Sequence, residues 1–183
     1  AMALGIGVSL SAPKEVKGVK AAETAVISYS GGTTTNMTGG NDAALLGLDD
    51  ELFSVVSDKG GGGNHVGLNK DGTLRLYFLK DSYEGVILSV SLNDNSYHIT
   101  GFRINYAGTV AQAKIVVDGI EKINETPAKN GFHSLSDLSA TAFSIQNVNT
   151  SSAQIHIKTI SIDYDLKSSP SVNITNFPGN LEV

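Results

Sequence analysis

Three observations predict an all-β fold, an antiparallel β-sandwich with jelly-roll-like winding. Apolar residues recur at every second position in short segments: Leu74, Leu76 and Phe78; Val86, Leu88, Val90 and Leu92; Phe102, Ile104 and Tyr106. A period of two marks half-buried antiparallel strands. Turn residues separate the segments at Lys70-Asp71-Gly72, Lys80-Asp81-Ser82 and Asn93-Asp94-Asn95, at the spacing of about a dozen residues that sandwiches and barrels show. Helical signals are confined to one short stretch near 42–52.

Taken in order, Ala25, Ile27 and Tyr29 alternate as a first strand. The stretch Ser30 to Asn41, rich in Gly, Thr and Asn, reads as a loop. Asp42 stands where a cap would precede Leu45, Leu46 and Leu48, the one helical candidate, which Gly47 weakens. Phe53 and Val55 open a strand that ends at Lys59, before the tract Gly60 to Gly63. Four glycines have high chain entropy and no side chain to pack, so a mobile loop is expected there. A phosphate-binding loop would need a Lys and a Ser or Thr at set spacing, and this tract runs into Asn64 and His65.

Ala113, Ile115 and Val117 form a strand closed by Asp118-Gly119, a strong hairpin signal, with Ile120 and Ile123 on the return. Phe143 and Ile145 mark another. In the last strand the apolar face changes parity, from Ile155 and Ile157 to Ile160, Ile162, Tyr164 and Leu166. One inserted residue does this, which predicts a β-bulge at Lys158-Thr159. No repeat recurs at a fixed period, which disfavours a solenoid or propeller.

The sandwich is expected over residues 23–166, between a leader or tail at 1–22 and an extended tail or linker at 167–183. The opening AMALGIGVSLSA resembles the end of a signal-peptide apolar region, and Val19-Lys20-Ala21 would place small residues at a cleavage site before Ala22. A cloning remnant or an ordinary strand are the alternatives. No apolar stretch is long enough for a spanning helix.

Composition narrows the function. A net charge of -5 and a pI near 5.2 disfavour nucleic-acid binding through a basic footprint. With no cysteine, disulfides, thiolate catalysis and Cys-ligated zinc are excluded. No Gly-x-Ser-x-Gly elbow occurs. His65, His98, His133 and His156 show no metal spacing and read as surface or packed structural residues. Asp49, Asp50 and Glu51 are consecutive and cannot all face one substrate, while Asp163 and Asp165 should face solvent. Neither group makes the opposed acid pair a glycosidase needs. Asp49, Asp50, Asn69 and Asp71 could supply oxygen to a structural calcium, but Asn69-Lys70-Asp71-Gly72 is too short for an EF-hand loop and reads better as a turn. No cofactor and no metal site are therefore expected, and no enzyme.

Glycan binding uses exposed aromatic rings beside polar groups. The chain has no Trp and six Tyr. Tyr77 shares a strand face with Arg75, opposite Leu74, Leu76 and Phe78, and Tyr83 and Tyr97 lie near turns. Arg75, Tyr77, Tyr83 and Tyr97 are thus the candidate ligand-binding residues.

Three stretches carry a family resemblance: Leu45-Leu46-Gly47-Leu48-Asp49 leading to Phe53; Gly67 through Tyr77; and Phe143-Ser144-Ile145-Gln146-Asn147 leading through Ile155, Ile157, Ile160 and Ile162 to Tyr164. Tyr97 through Ile104 lies between them. From about Leu45 to Tyr164 the chain resembles a β-sandwich repeat module of exported surface proteins of Firmicutes and Mollicutes, which accompanies Ig-like repeats or secreted enzymes. The resemblance implies an accessory role and no catalytic residues. The expected function is a non-catalytic extracellular or cell-surface module that binds a glycan or a surface protein. The alternative is a structural subunit that assembles by pairing its terminal segments with neighbours. A secreted hydrolase is the least favoured class.

Overall fold

The computed structural model describes residues 22–59, 63–78, 85–108 and 110–168. The strands are β1 (Glu23–Ile27), β2 (Thr35–Asn36), β3 (Phe53–Asp58), β4 (Gly67–Leu68), β5 (Leu74–Leu76) and β6 (Ile87–Leu92), then β7 (Tyr97–Tyr106), β8 (Ala113–Val117), β9 (Ile120–Glu125), β10 (Phe132–Leu135), β11 (Ala142–Asn147) and β12 (Ile155–Leu166). They form two antiparallel sheets. The larger runs β10-β7-β12-β5-β4-β2, with β1 also on β12, and the smaller runs β3-β6-β11-β8-β9. From β5 onward the chain passes repeatedly from one sheet to the other, the winding of a β-sandwich.

Alternation explains the layers. On β3, β5, β6, β7, β8, β11 and β12 apolar, buried residues alternate with less buried ones over most of the strand, so each sheet turns one apolar face inward. Leu74 and Leu76, Leu88 and Val90, Ile99, Phe102, Ile104, Ile115, Phe143 and Ile145 all lie in the core. Two ring pairs join the sheets. Phe102 stacks on Phe143 with centroids 4.1 Å apart, and Phe53 meets Tyr164 edge-on at 5.2 Å.

The central strand is β12. It pairs along one side with β7 and along the other with β5 and then β1. Its register against β7 shifts between Ile157 and Thr159, and Ile155, Ile157, Ile160, Ile162 and Tyr164 are all buried. This is the bulge that the parity change predicts: one extra residue lets five apolar side chains share one face. The β8–β9 hairpin also follows its sequence signal. Asp118 and Gly119 have φ of 45° and 80°, left-handed values that a two-residue turn requires.

Three readings are corrected. Asp42 does not cap a helix; it is buried, and its carboxylate accepts from Thr38 N at 2.8 Å and Thr38 Oγ1 at 2.9 Å. Only a 3-10 turn, Ala44–Leu46, forms there, with no side-chain cap. The expected loop at 30–41 contains β2, which pairs with β4, and buries Met37. Asn41 adds an edge cover: its side chain donates to Phe53 O at 3.1 Å and accepts from Val55 N at 2.9 Å, so an amide satisfies the outer edge of β3. The expected mobile tract falls at 60–63, of which 60–62 lie outside the described residues, as does the turn at Lys80-Asp81-Ser82.

Candidate functional site

The outer face of the larger sheet carries the side chains that alternate with the core rows. Register places His156 of β12 beside Arg75 of β5, and Arg75 beside Gly67 of β4. Further along, Thr159 pairs with Asn105 and Asn105 with Phe132 of β10, while Ser161 pairs with Arg103 and Arg103 with Ser134. Paired residues project on the same face.

Two arginine–aromatic pairs dominate this face. The Arg75 guanidinium carbon lies 4.6 Å from the Tyr77 ring centroid, and Arg75 Nη2 donates to the Tyr77 hydroxyl. Gly67 makes room for this pair. A Cβ there would come within 3.0 Å of Tyr77 Oη and 3.3 Å of Arg75 Nε. The second pair is Arg103 over Phe132, 3.5 Å from the ring centroid, with Phe132 48% exposed. Arg103 Nε donates to Asn105 Oδ1 at 3.0 Å, and Asn105 Nδ2 donates to Thr159 Oγ1 at 3.0 Å. A guanidinium over an aromatic face is attracted by the ring quadrupole and loses rotamer freedom before any ligand arrives.

His156 stands beside the first pair. Burial, and after it the charge of Arg75, holds its imidazole below the ordinary histidine value, with Asp71 pulling the other way. It is therefore neutral near pH 7. Its Nε2 and the Nε of Arg75 are buried without a hydrogen-bond partner among the described residues. Asp71 is held by Thr73, whose N and Oγ1 donate at 3.0 Å and 2.7 Å, and these bonds lower its pKa.

Of the four candidates named from sequence, the structure brings together Arg75 and Tyr77. Tyr97 lies on the inward side of β7, its ring 5.8 Å from that of Tyr164, and lines a separate open cleft of about 320 Å³ with Asp49, Glu51, Leu52 and Asp94. Tyr83 lies outside the described residues. Phe132, Arg103 and Asn105 complete the face and were not singled out from sequence, and His156, read there as a surface or packed residue, joins them. Phe132 and Leu135 stand three positions apart, not two, so the four residues of β10 carry no strand signal in sequence.

A second polar cluster is structural. The Tyr106 hydroxyl and His133 Nδ1 share a hydrogen bond of 2.9 Å, and His133 Nε2 lies 3.4 Å from Glu125 Oε1, near enough for an ion pair but not aligned as a hydrogen bond. It ties β10 of one sheet to β9 of the other. Among the described residues no group of three or more His, Cys, Asp or Glu is placed to hold a metal, and no helix is long and apolar enough to cross a membrane.

No protein-family model matches the chain, and no curated protein does. Solved structures similar to it include a mutant family 29 carbohydrate-binding module complexed with mannohexaose, at 14% identity and TM-score 0.48, covering 78% of this chain and 92% of that one. A second mutant of that family gives 14% and 0.49, covering 78% and 86%. A family 32 module from C. perfringens NanJ, in complex with galactose, gives 14% and 0.40, covering 62% and 93%.

Proposed function

We propose that this chain is a non-catalytic binding module that holds a glycan on the outer face of its larger sheet. One observation carries the reading. Two aromatic rings, Tyr77 and Phe132, each backed by an arginine, share one solvent-facing sheet surface with Asn105, Thr159, Ser161 and Ser134 between or beside them. Phe132 lies on β10 and Tyr77 just past β5, and in the order β10-β7-β12-β5 these strands are three spacings apart, about 14 Å across the sheet. Such a surface meets several sugar units at once. Rings offer apolar contact to C–H groups, and hydroxyl and amide groups exchange hydrogen bonds with sugar hydroxyls.

The sequence resemblance to surface-protein repeats suits the same role, with the module outside the cell and attached to a larger protein. A single site of this kind binds weakly, with a dissociation constant on the order of 0.1–1 mM, because a few wet contacts barely exceed the cost of association. Several copies on one surface would raise the avidity. The test is a glycan array followed by calorimetry on Tyr77→Ala and Phe132→Ala. Each change should weaken the best ligand about tenfold, by loss of roughly 1.4 kcal/mol. Binding that survives both would remove this face from consideration.

A further inference from the structure

The chain has only two arginines among its 183 residues, and both lie on this one face. Each is stacked on an aromatic ring. Neither forms an ion pair with a carboxylate among the described residues. In a chain of net charge -5, chance pairing would more readily neutralise a surface guanidinium than leave two of them uncompensated on one sheet face. Two acids of the larger sheet accept hydrogen bonds from threonines instead. Asp71 is held by Thr73, and Asp163, one step beyond Ser161 on β12, accepts from Thr24 Oγ1 at 2.7 Å.

Stacking also decides how these arginines can bind. The guanidinium covers one face of its ring and leaves the rest of the ring for C–H contact. Beside the ring the pair presents the edge of the guanidinium, with N–H donors at fixed angles. A planar donor fork matches the two oxygens of a carboxylate or the oxygens of a sulfate far better than a lone hydroxyl. Arg75 spends one donor on Tyr77 and Arg103 spends Nε on Asn105, so each retains terminal N–H groups for a ligand.

Resting on the reading of this face as a glycan platform, we infer that its ligand is an acidic oligosaccharide, one that bears carboxylate or sulfate groups on more than one sugar. Arg75 and Arg103 each take one acidic group, and Asn105, Thr159 and Ser161 take hydroxyls between them. The two arginines sit on strands two spacings apart and at different levels along β12, on the order of 15 Å by strand geometry. That distance exceeds one sugar ring, so affinity should grow with chain length.

The experiment is calorimetry on the full chain with four probes: an oligogalacturonate hexamer, the same hexamer with its carboxyl groups reduced, a sulfated heparin-derived hexamer, and mannohexaose. At least one acidic probe should bind about tenfold more tightly than the two neutral ones, and raising salt from about 0.05 to 0.5 M should cost it about fivefold or more. The carboxylate and sulfate arms tell the two acidic groups apart. Arg75→Gln and Arg103→Gln should each weaken the acidic probe about tenfold, while Lys122→Gln on the opposite sheet, the same change in charge, should not. Arg103 is exposed, so its variant carries the test if the Arg75 variant misfolds.

Equal binding of acidic and neutral probes, or full affinity in both arginine variants, would overturn the inference and leave the glycan platform standing. An oligonucleotide of matched charge binding as tightly as the acidic sugar would overturn it too. Binding of no glycan of either kind would end both readings.

Discussion

Gly67→Ala separates the site from the scaffold that holds it. Gly67 lies in β4 without a left-handed φ, so alanine fits its backbone. Replacing glycine at a compatible position reduces the freedom of the unfolded chain and stabilises by about 0.4–1 kcal/mol. Against this, the new methyl would stand 3.0 Å from Tyr77 Oη and 3.3 Å from Arg75 Nε, so both side-chain ends must retreat by a few tenths of an ångström. Both belong to long side chains that can move. The cost is part of one charge-assisted hydrogen bond, about 1 kcal/mol after discounting for its partial exposure. The two terms nearly cancel. Thermal melting should therefore move by no more than about 3 °C, the range expected for 1 kcal/mol in a domain of this size. Binding should suffer more, because the arginine–tyrosine pair is displaced as a unit; about three- to tenfold weaker affinity is expected, up to 1.4 kcal/mol. The assays are scanning calorimetry and titration of the best glycan from the array. A melting point lowered by more than about 6 °C would show Gly67 to be a packing residue first. Unchanged affinity would show that the Arg75–Tyr77 geometry does not serve the ligand.

Asp118 accepts from Thr141 N, Thr141 Oγ1 and Ala142 N and occupies a left-handed turn position, so Asp118→Ala should cost about 2 kcal/mol in denaturant melts and Asp118→Asn, which tolerates that conformation, well under half of this. Tyr164 donates to Glu23 Oε2 at 2.7 Å, and burial followed by Glu23 raises its pKa to about 12. Tyr164→Phe should lose about 1 kcal/mol and speed amide exchange in β1. Burial holds both His133 and His156 below their unfolded value of 6.5. The unfolded chain then binds more protons just below that value, so stability should be level above about pH 7 and fall as pH drops through 6.5. His133→Gln should flatten that slope, and an unchanged slope would show that His133 does not titrate with unfolding.

Much of the fold was legible because period-two burial is local. The rows Leu74/Leu76, Leu88/Val90 and Ile115/Val117 needed only alternation, and the bulge at Lys158 needed only a parity count across six apolar residues of β12. What escaped was set by tertiary contact. β2 and β4 are two residues each and exist because β2 pairs with β4 and β4 with β5. Asp42 looked like a cap, but Thr38 and the β3 edge claimed it and its neighbour Asn41 first. At the site, Arg75 and Tyr77 could be placed on one face because they are two residues apart on one strand. The partnership of Arg103 with Phe132 joins β7 to β10 across 29 residues of sequence, and no pattern within either strand announces it. For Tyr97 the nearness to a turn was visible, while its inward side and its ring contact with Tyr164 were not.

The pairing of β1 with β12 has a mechanical consequence. Glu23 lies opposite Tyr164, and Ile27 opposite Ile160, so the polypeptide enters and leaves the sandwich at the same end. Tension applied through the segments on either side would pull Glu23 and Leu166 apart across the ladder rather than along it. The bonds of β1 would then open one after another from Glu23 inward, with the Tyr164–Glu23 contact the first to bear load. Held through both flanking segments, the sandwich would hang to one side of the pulling axis and shed its first strand first. The ladder between β7 and β12, registered from Tyr97 to Tyr106, takes load at its Leu166–Tyr97 end, but it is the longer of the two.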